Sequence, residues 1–348
     1  GKNDVETFIP VARIADMLLH PGDEFDYDGG RYHYPNIKMI YWAGGNPFHH
    51  HQDLTRLLAG WRKPDTIIAH EWCWNALAKH ADIILPCTTS LERTDIAMSP
   101  MDNYFVSMQA AIAPVGDARD DFEIFRGIAA KMGVENAYTE GRTAEDWQRW
   151  LYDVTKQASA EQGHELPSYD AFRKDGWFKL PPPETVHVMF ADFRADPMAN
   201  PLATPSGKIE IFSQVIDDFD YDDCAPHPCW FAPPEWLGSP DRGSRLHLLG
   251  NQPTARLHSQ LDHGSHSRAA KIKQREPIML HPEDAKARGL ANGDIVRVFN
   301  HRGACRGGVT IDDQVMRGVV QMSSGAWYDP QQPASAGSLC KHGNPNVL

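Results

Sequence analysis

The spacing of apolar positions changes character along this chain, and each change predicts different elements. Residues 38–45 form a mostly apolar run that ends in Gly44-Gly45, the pattern of a buried strand stopped by a turn. Leu54, Leu57, Leu58 and Trp61 then recur at i, i+3, i+4 and i+7, which predicts a helix with one buried face. Pro64 closes that helix, and Thr66-Ile67-Ile68-Ala69 reads as the next strand. Trp74, Leu77, Ala78 and Ala81 predict a short second helix, and Ile83-Ile84-Leu85 a third strand stopped by Pro86. Strand–helix alternation with short links is the pattern of a parallel sheet with right-handed crossovers.

A further helix is predicted over 121–132, with Phe122, Phe125, Ile128, Ala129 and Met132 on one side. Asp120 and Asp121 are placed to cap its positive end. Another is predicted over 143–156, with Trp147, Trp150 and Leu151 inward. Periodicity then fades: residues 164–240 are rich in Pro, Asp and aromatics, including Pro181-Pro182-Pro183 and Pro233-Pro234, and read as a connecting region. From Arg245 the texture becomes β. Leu246-His247-Leu248-Leu249 and Ile278-Met279-Leu280 read as strands, and a short helix runs from Pro282 to a stop at Gly289. Asn292-Gly293-Asp294 turns into the alternating run Ile295-Val296-Arg297-Val298-Phe299. Arg302-Gly303 turns into residues 304–311, and Val319-Val320-Gln321-Met322 returns. Short strands, tight turns and one small helix predict a closed barrel.

The expected organisation is an α/β domain over 1–163, a Pro-rich connector over 164–240 and a β-barrel domain over 241–348. A chain of 348 residues has room for about two such cores. The formal charge of −12 argues against a nucleic-acid-binding face, so an anionic ligand must be held by a few placed cations and backbone amides. The six cysteines show no CxxC spacing, which argues against a zinc ribbon or iron–sulfur cluster, and scattered thiols suit a reducing compartment. No apolar run is long enough for a membrane helix. The start Gly1-Lys2-Asn3 without Met, and the end at Val347-Leu348 without a polar tail, read as part of a longer polypeptide.

Candidate chemistry gathers at the C-terminal ends of the expected parallel strands. There stand Gly44-Gly45-Asn46-Pro47, then His70-Glu71, then Cys87-Thr88-Thr89-Ser90 with Glu92 and Asp95 beyond. In a parallel sheet these ends share one edge, where nucleotide ligands bind. Glycines admit a ligand close to the backbone, Asn46 both donates and accepts as a purine edge demands, and Glu71 accepts from ribose hydroxyls or a guanine N1–H and amino group. The bland alternative for each cluster alone is loop capping. The run His49-His50-His51 invites a metal, but consecutive histidines cannot all face one ion on a regular element, and no HExxH pattern supports it. Contacts at a helix N-terminus or to a ligand suit it better. In the second domain, residues 250–260, 323–330 and 341–346 are loops dense in hydrogen-bonding groups, and Arg256 offers a planar fork for phosphate or a carbonyl-rich ring. Neither a Ser–His–Asp triad nor a catalytic carboxylate pair is assignable from spacing.

The runs YWAGGNPFHHHQD, HADIILPCTTSLERTDI, RLHSQLDHG, SSGAWYDP and HGNPN, in that order, closely resemble the dimethyl sulfoxide reductase family of molybdopterin oxidoreductases. The resemblance implies a Rossmann-like α/β domain followed by a barrel of the double-psi type, both incomplete here. It implies molybdenum held by two molybdopterin guanine dinucleotides, and reduction of an S-oxide or N-oxide by oxygen-atom transfer. The cofactor-binding residues it implies are Gly45, Asn46, Pro47, His51, Asp53, His70, Glu71, Thr88, Thr89 and Asp95 from the α/β domain. From the barrel it implies Arg256, His258, Ser259, Gln260, Trp327, Tyr328 and Asn344. Family members are longer, and their serine metal ligand belongs to an N-terminal region without a counterpart here. The expected partners are therefore that region, an oxide substrate and an electron donor, a reduced nicotinamide or a redox protein. The segment alone is expected to be inactive and the compartment to be the cytoplasm. A stand-alone nucleotide-binding module and, more distantly, a zinc hydrolase built on the histidines are the other classes in play.

Overall fold

The computed structural model describes residues 5, 7–182, 187–243, 245–332, 335 and 337–348. Helix α1 (Ile14–Leu19) precedes a hairpin of β1 (Glu24–Tyr27) and β2 (Gly30–His33). Strand β3 (Met39–Trp42) then leads through Gly44-Gly45 into the single turn α2 (Pro47–His50) and into α3 (Leu54–Trp61). Asn46 and Asp53 cap these helices, their side chains accepting from the Phe48 and Arg56 amides. Strands β4 (Thr66–Glu71) and β5 (Ile83–Pro86) complete a three-stranded sheet in the order β3-β4-β5, parallel throughout. The register sets Trp42 beside Ala69 and Glu71 beside Pro86, so the strand ends share one edge as expected. The helix expected over 74–81 is only a 3-10 turn at Ala78–His80. The Asn75 side chain caps it at Ala78, Ala81 is already extended, and Trp74 faces solvent.

Strands β6 (Asp95–Met98) and β7 (Tyr104–Met108) form an antiparallel pair that no hydrophobic alternation announced. Helices α4 (Asp121–Lys131), α5 (Glu135–Thr139) and α6 (Ala144–Glu161) follow. On α4 only Ala129 is buried and Met132 beyond its end is exposed; Phe125 is the ring that meets the sheet, 5.5 Å from Tyr41 and 5.0 Å from His70. Asp120 does not cap α4 with its side chain, because that carboxylate accepts from Thr88 instead. On α6, Trp150 and Leu151 lie outward, contrary to expectation, and Tyr152 is the buried residue. The reason lies in the stretch with faded periodicity. It folds α7 (Tyr169–Asp175) and β8 (Trp177–Lys179), whose Tyr169, Phe172 and Phe178 surround Tyr152, while β8 pairs with β7. Short helices α8 (Ala191–Ala195) and α9 (Gln214–Asp217) lie further along it.

The last part contains β9 (His247–Asn251), α10 (Ser265–Ala269), β10 (Pro277–Leu280), α11 (Pro282–Lys286), β11 (Ile295–Phe299), β12 (Ala304–Ile311) and β13 (Val319–Ser323). Its strands make one mixed five-stranded sheet in the order β11-β12-β10-β13-β9. This corrects the closed barrel: among the described residues β9 and β11 remain edges. One buried face per strand is common to a barrel and an open twisted sheet, so alternation alone could not distinguish them. One apolar core runs through both parts, joining Phe48, Leu54, Leu57, Trp61 and Leu77 with Ile278, Leu280, Val309, Met322 and Tyr328.

Candidate cofactor-binding site

The carboxyl edge of β3-β4-β5 supplies one wall. Gly44 and Gly45 have φ of +82° and +70°, a left-handed turn that suits glycine, and a Cβ at either would meet open space. Their exposed backbone is therefore open to close approach by a ligand. Next, Asn46 is buried, its Oδ1 accepting from the Phe48 amide at 3.1 Å and its Nδ2 facing Glu71 Oε1 at 3.4 Å. Pro47 occupies the first turn of α2. Burial pushes the Glu71 carboxyl up to about 7 against hydrogen bonds from Asn75, Asn46 and the Trp72 backbone. Two groups that purine recognition needs, an amide and a carboxyl group, thus stand together at the strand ends.

Several neighbours engage each other instead. Both ring nitrogens of His70 are taken, Nδ1 by Asp121 Oδ1 and Nε2 by the Tyr41 hydroxyl, each at 2.6 Å. His70 thereby ties β3 and β4 to α4 rather than presenting a free ring nitrogen. Thr88 donates to Asp120 at 2.6 Å, and Thr89 gives both its amide and hydroxyl to Glu92 Oε2. Asp53 holds the start of α3 with φ +49°, and Asp95 lies 3.4 Å from Arg93 Nε. His51 is half-buried, and burial lowers its pKa, with a contribution from His50.

The loops after β9 and β13 and the C-terminal segment face this edge across a seam of rings. Trp72 lies 5.5 Å from His263, His263 4.9 Å from Trp327, and Trp327 stacks on His49 at 5.6 Å and 13°. Trp327 is fixed by Nε1 donating to the Ser259 carbonyl at 2.8 Å and its amide donating to Asp262 at 3.1 Å. His258 and Gln260 are exposed on the same loop, whereas Ser259 is buried. Other residues expected at the ligand point into the protein. Arg256 donates to the His258 and Ser324 carbonyls, Ser267 and Glu276, so its fork is occupied and its side chain is 3% exposed. Tyr328 lies parallel to Phe48 at 6.0 Å, and its burial raises the phenol pKa. Asn344 is fully buried, donating to the Phe48 carbonyl and accepting from the Asn346 amide. These residues hold the wall in place.

Of the histidine run, for which ligand contacts suit better than a metal, the sequence singles out His51, whereas the structure turns His49 toward the seam. His49 is 7% exposed, its Nε2 has no hydrogen-bond partner, and burial lowers its pKa to about 4, so it is neutral at pH 7. Trp42 Nε1, at the end of β3, is likewise buried without a partner. The Trp42 ring packs on Trp61 against the core, whereas the orphaned His49 nitrogen, on the ring stacked with Trp327, fits a polar ligand laid along the seam. Among the described residues no group of three or more His, Cys, Asp or Glu could hold a metal ion.

Comparison with known proteins decides the family. Residues 13–131 match the molybdopterin oxidoreductase family, and residues 246–348 match the molydopterin dinucleotide binding domain. The chain belongs to the molybdopterin oxidoreductases. It is 45% identical over 345 residues to a biotin sulfoxide reductase of Cereibacter sphaeroides, covering 99% of this chain and 46% of that protein. It is 43% identical over 343 residues to a dimethyl sulfoxide/trimethylamine N-oxide reductase of Rhodobacter capsulatus, covering 98% and 42%. An acetylene hydratase structure from Pelobacter acetylenicus superposes with a TM-score of 0.67 at 20% identity, over 90% of this chain and 41% of that one, a likeness of fold. The chain thus spans less than half the length of these curated relatives. The two family matches bracket the seam, one ending within α4 and the other beginning just before β9.

Proposed function

We propose that this chain forms a wall of the cofactor site in a molybdenum enzyme that reduces an S-oxide or N-oxide by oxygen-atom transfer. The observation that carries the reading is the Asn46–Glu71 pair beside the open Gly44-Gly45 turn, in a chain whose relatives are named as S-oxide and N-oxide reductases. The cofactor is the bis-molybdopterin guanine dinucleotide form. When bound, it supplies the two-electron chemistry by which an oxide gives up its oxygen. The chain's own residues bind and orient it. Asn46 and Glu71 meet the guanine end of one dinucleotide, the Gly44-Gly45 backbone admits its phosphates, and His49 offers an uncharged imidazole on the same side. His258, Gln260 and Trp327 face the cofactor from the loops after β9 and β13. The ring seam from Trp72 to His49 excludes water between the two walls.

In this reading the metal's protein ligand, the substrate pocket and the docking face for an electron donor are supplied by polypeptide outside this chain, which alone is inactive. The free cysteines suit a cytoplasmic setting. The test is metal and nucleotide analysis of the full-length protein. Molybdenum with extractable guanine nucleotide is expected, and oxide-reducing protein that contains neither would overturn the reading. Guanine nucleotide without molybdenum, in protein inactive toward S-oxides and N-oxides, would mark a binding module instead.

A further inference from the structure

Behind the Trp327 loop lies a cluster of charged groups. Asp262, fully buried, accepts through Oδ1 from Lys271 at 2.8 Å and Ser267 at 3.3 Å, with Arg256 Nε also 3.3 Å away. Its Oδ2 takes the Trp327 amide at 3.1 Å and pairs with His342 Nε2 at 2.7 Å. Glu276 closes the cluster against Lys271 at 2.7 Å and Arg256 at 3.2 Å. The side chains of Arg256, Lys271, Asp262 and Glu276 are between 0% and 3% exposed, while that of His342 is 27% exposed. The cluster therefore meets its surroundings through one imidazole.

The two carboxylates already face two permanent cations, so charge balance does not depend on His342, although its 2.7 Å contact is the shortest that Asp262 receives. The carboxylate does fix the ring. With Nε2–H directed at Asp262, Nδ1 is the nitrogen left for another group, and it has no hydrogen-bond partner among the described residues. His342 and the Trp327 amide bind the same carboxylate oxygen, which places the imidazole beside the loop that lines the seam.

We propose that His342 is a further contact residue for the dinucleotide cofactor, its Nδ1 accepting from an amino or ring N–H of the cofactor's heterocycle, with Asp262 as its positioning residue. The proposal rests on the cofactor reading above. It is tested in the full-length protein with His342→Leu and His342→Gln. Guanine nucleotide retained after gel filtration is measured, together with thermal midpoints of loaded and cofactor-free protein. Loss of one ligand hydrogen bond weakens binding about tenfold. His342→Leu is therefore expected to lose nucleotide and to narrow the gap between loaded and cofactor-free midpoints. His342→Gln restores most of both, because its amide donates to Asp262 and still offers an acceptor. Loss of the bond to Asp262 lowers the loaded and cofactor-free midpoints of His342→Leu alike, so the gap between them is what reports the cofactor contact. Wild-type retention in His342→Leu, or a gap between loaded and cofactor-free midpoints as wide as in the wild type, overturns the proposal in favour of a purely structural role. A wild-type protein without guanine nucleotide overturns the cofactor reading itself and this proposal with it.

Discussion

Glu71 carries its carboxyl group into apolar surroundings at the end of β4, where burial pushes it up to about 7 from 4.5. Below about pH 4.5 the group is protonated whether the chain is folded or not, and contributes nothing to pH dependence. As pH rises through the window up to 7, the folded protein keeps a proton that the unfolded chain releases, so stability falls, then levels off. A shift from 4.5 to about 7 on a buried group corresponds to a plateau cost of about 3 kcal/mol. Glu71→Gln removes the titration. Urea unfolding should therefore show it more stable than wild type by that amount at pH 8 and close to it at pH 4. An equal difference at both pH values would rule out burial of the titrating group as the cause. The same substitution exchanges an acceptor oxygen for a donor, so the full-length variant should retain about tenfold less guanine nucleotide despite its higher stability.

Among the elements, α6 and the Trp327 loop show how far local signals reach. The start of α6 carries a capping box, Thr143 accepting from the Asp146 amide at 3.2 Å while Asp146 accepts from the Thr143 amide at 3.0 Å. Thr143→Ala should cost about 1 kcal/mol and speed hydrogen exchange of the first-turn amides, with no change at β7. That helix was legible from sequence because its cap and periodicity lie within one segment. Its inward face was not. Trp147 is half-buried and Trp150 lies outside, Arg142 placing its guanidinium 4.5 and 5.3 Å from their rings, and Tyr152 is buried by α7 and the three-residue strand β8, too short to show a period. In the site loop, Gly325 has φ +84°, and a Cβ there would lie 2.3 Å from the His258 carbonyl oxygen. Gly325→Ala combines left-handed strain with a backbone clash and should cost about 2 kcal/mol or more. It should also part the His258 and Trp327 loops, read as lost nucleotide retention in the full-length protein. A variant with both stability and retention of the wild type would show that the loops do not depend on this contact.

Across the whole molecule, the core is continuous between the first and last parts of the chain, and Phe48 is its joint. It is fully buried, meets Trp61 and His80 on its own side, lies parallel to Tyr328, and receives Asn344 on its carbonyl. Phe48→Ala should cost about 3–5 kcal/mol. It should lower the urea midpoints of tryptophan fluorescence and far-UV ellipticity together, because both parts lose packing at once. Separate transitions, with only the first shifted, would show that the two parts fold independently. The sequence by itself determined the parallel strands and the polar clusters at their ends, because strand period, glycine turns and helix caps are local properties of neighbouring residues. Only the tertiary structure decided which polar groups are left for a ligand. His70 is closed off by Asp121, 51 residues away, Arg256 by Ser324, 68 residues away, and Asn344 by Phe48, 296 residues away. A side chain with several donors reads the same in sequence whether it faces a ligand or a distant backbone. The difference is made by desolvation, which compels each buried polar group to find its partner inside the fold and leaves His49 and the outward edge of His342 without one.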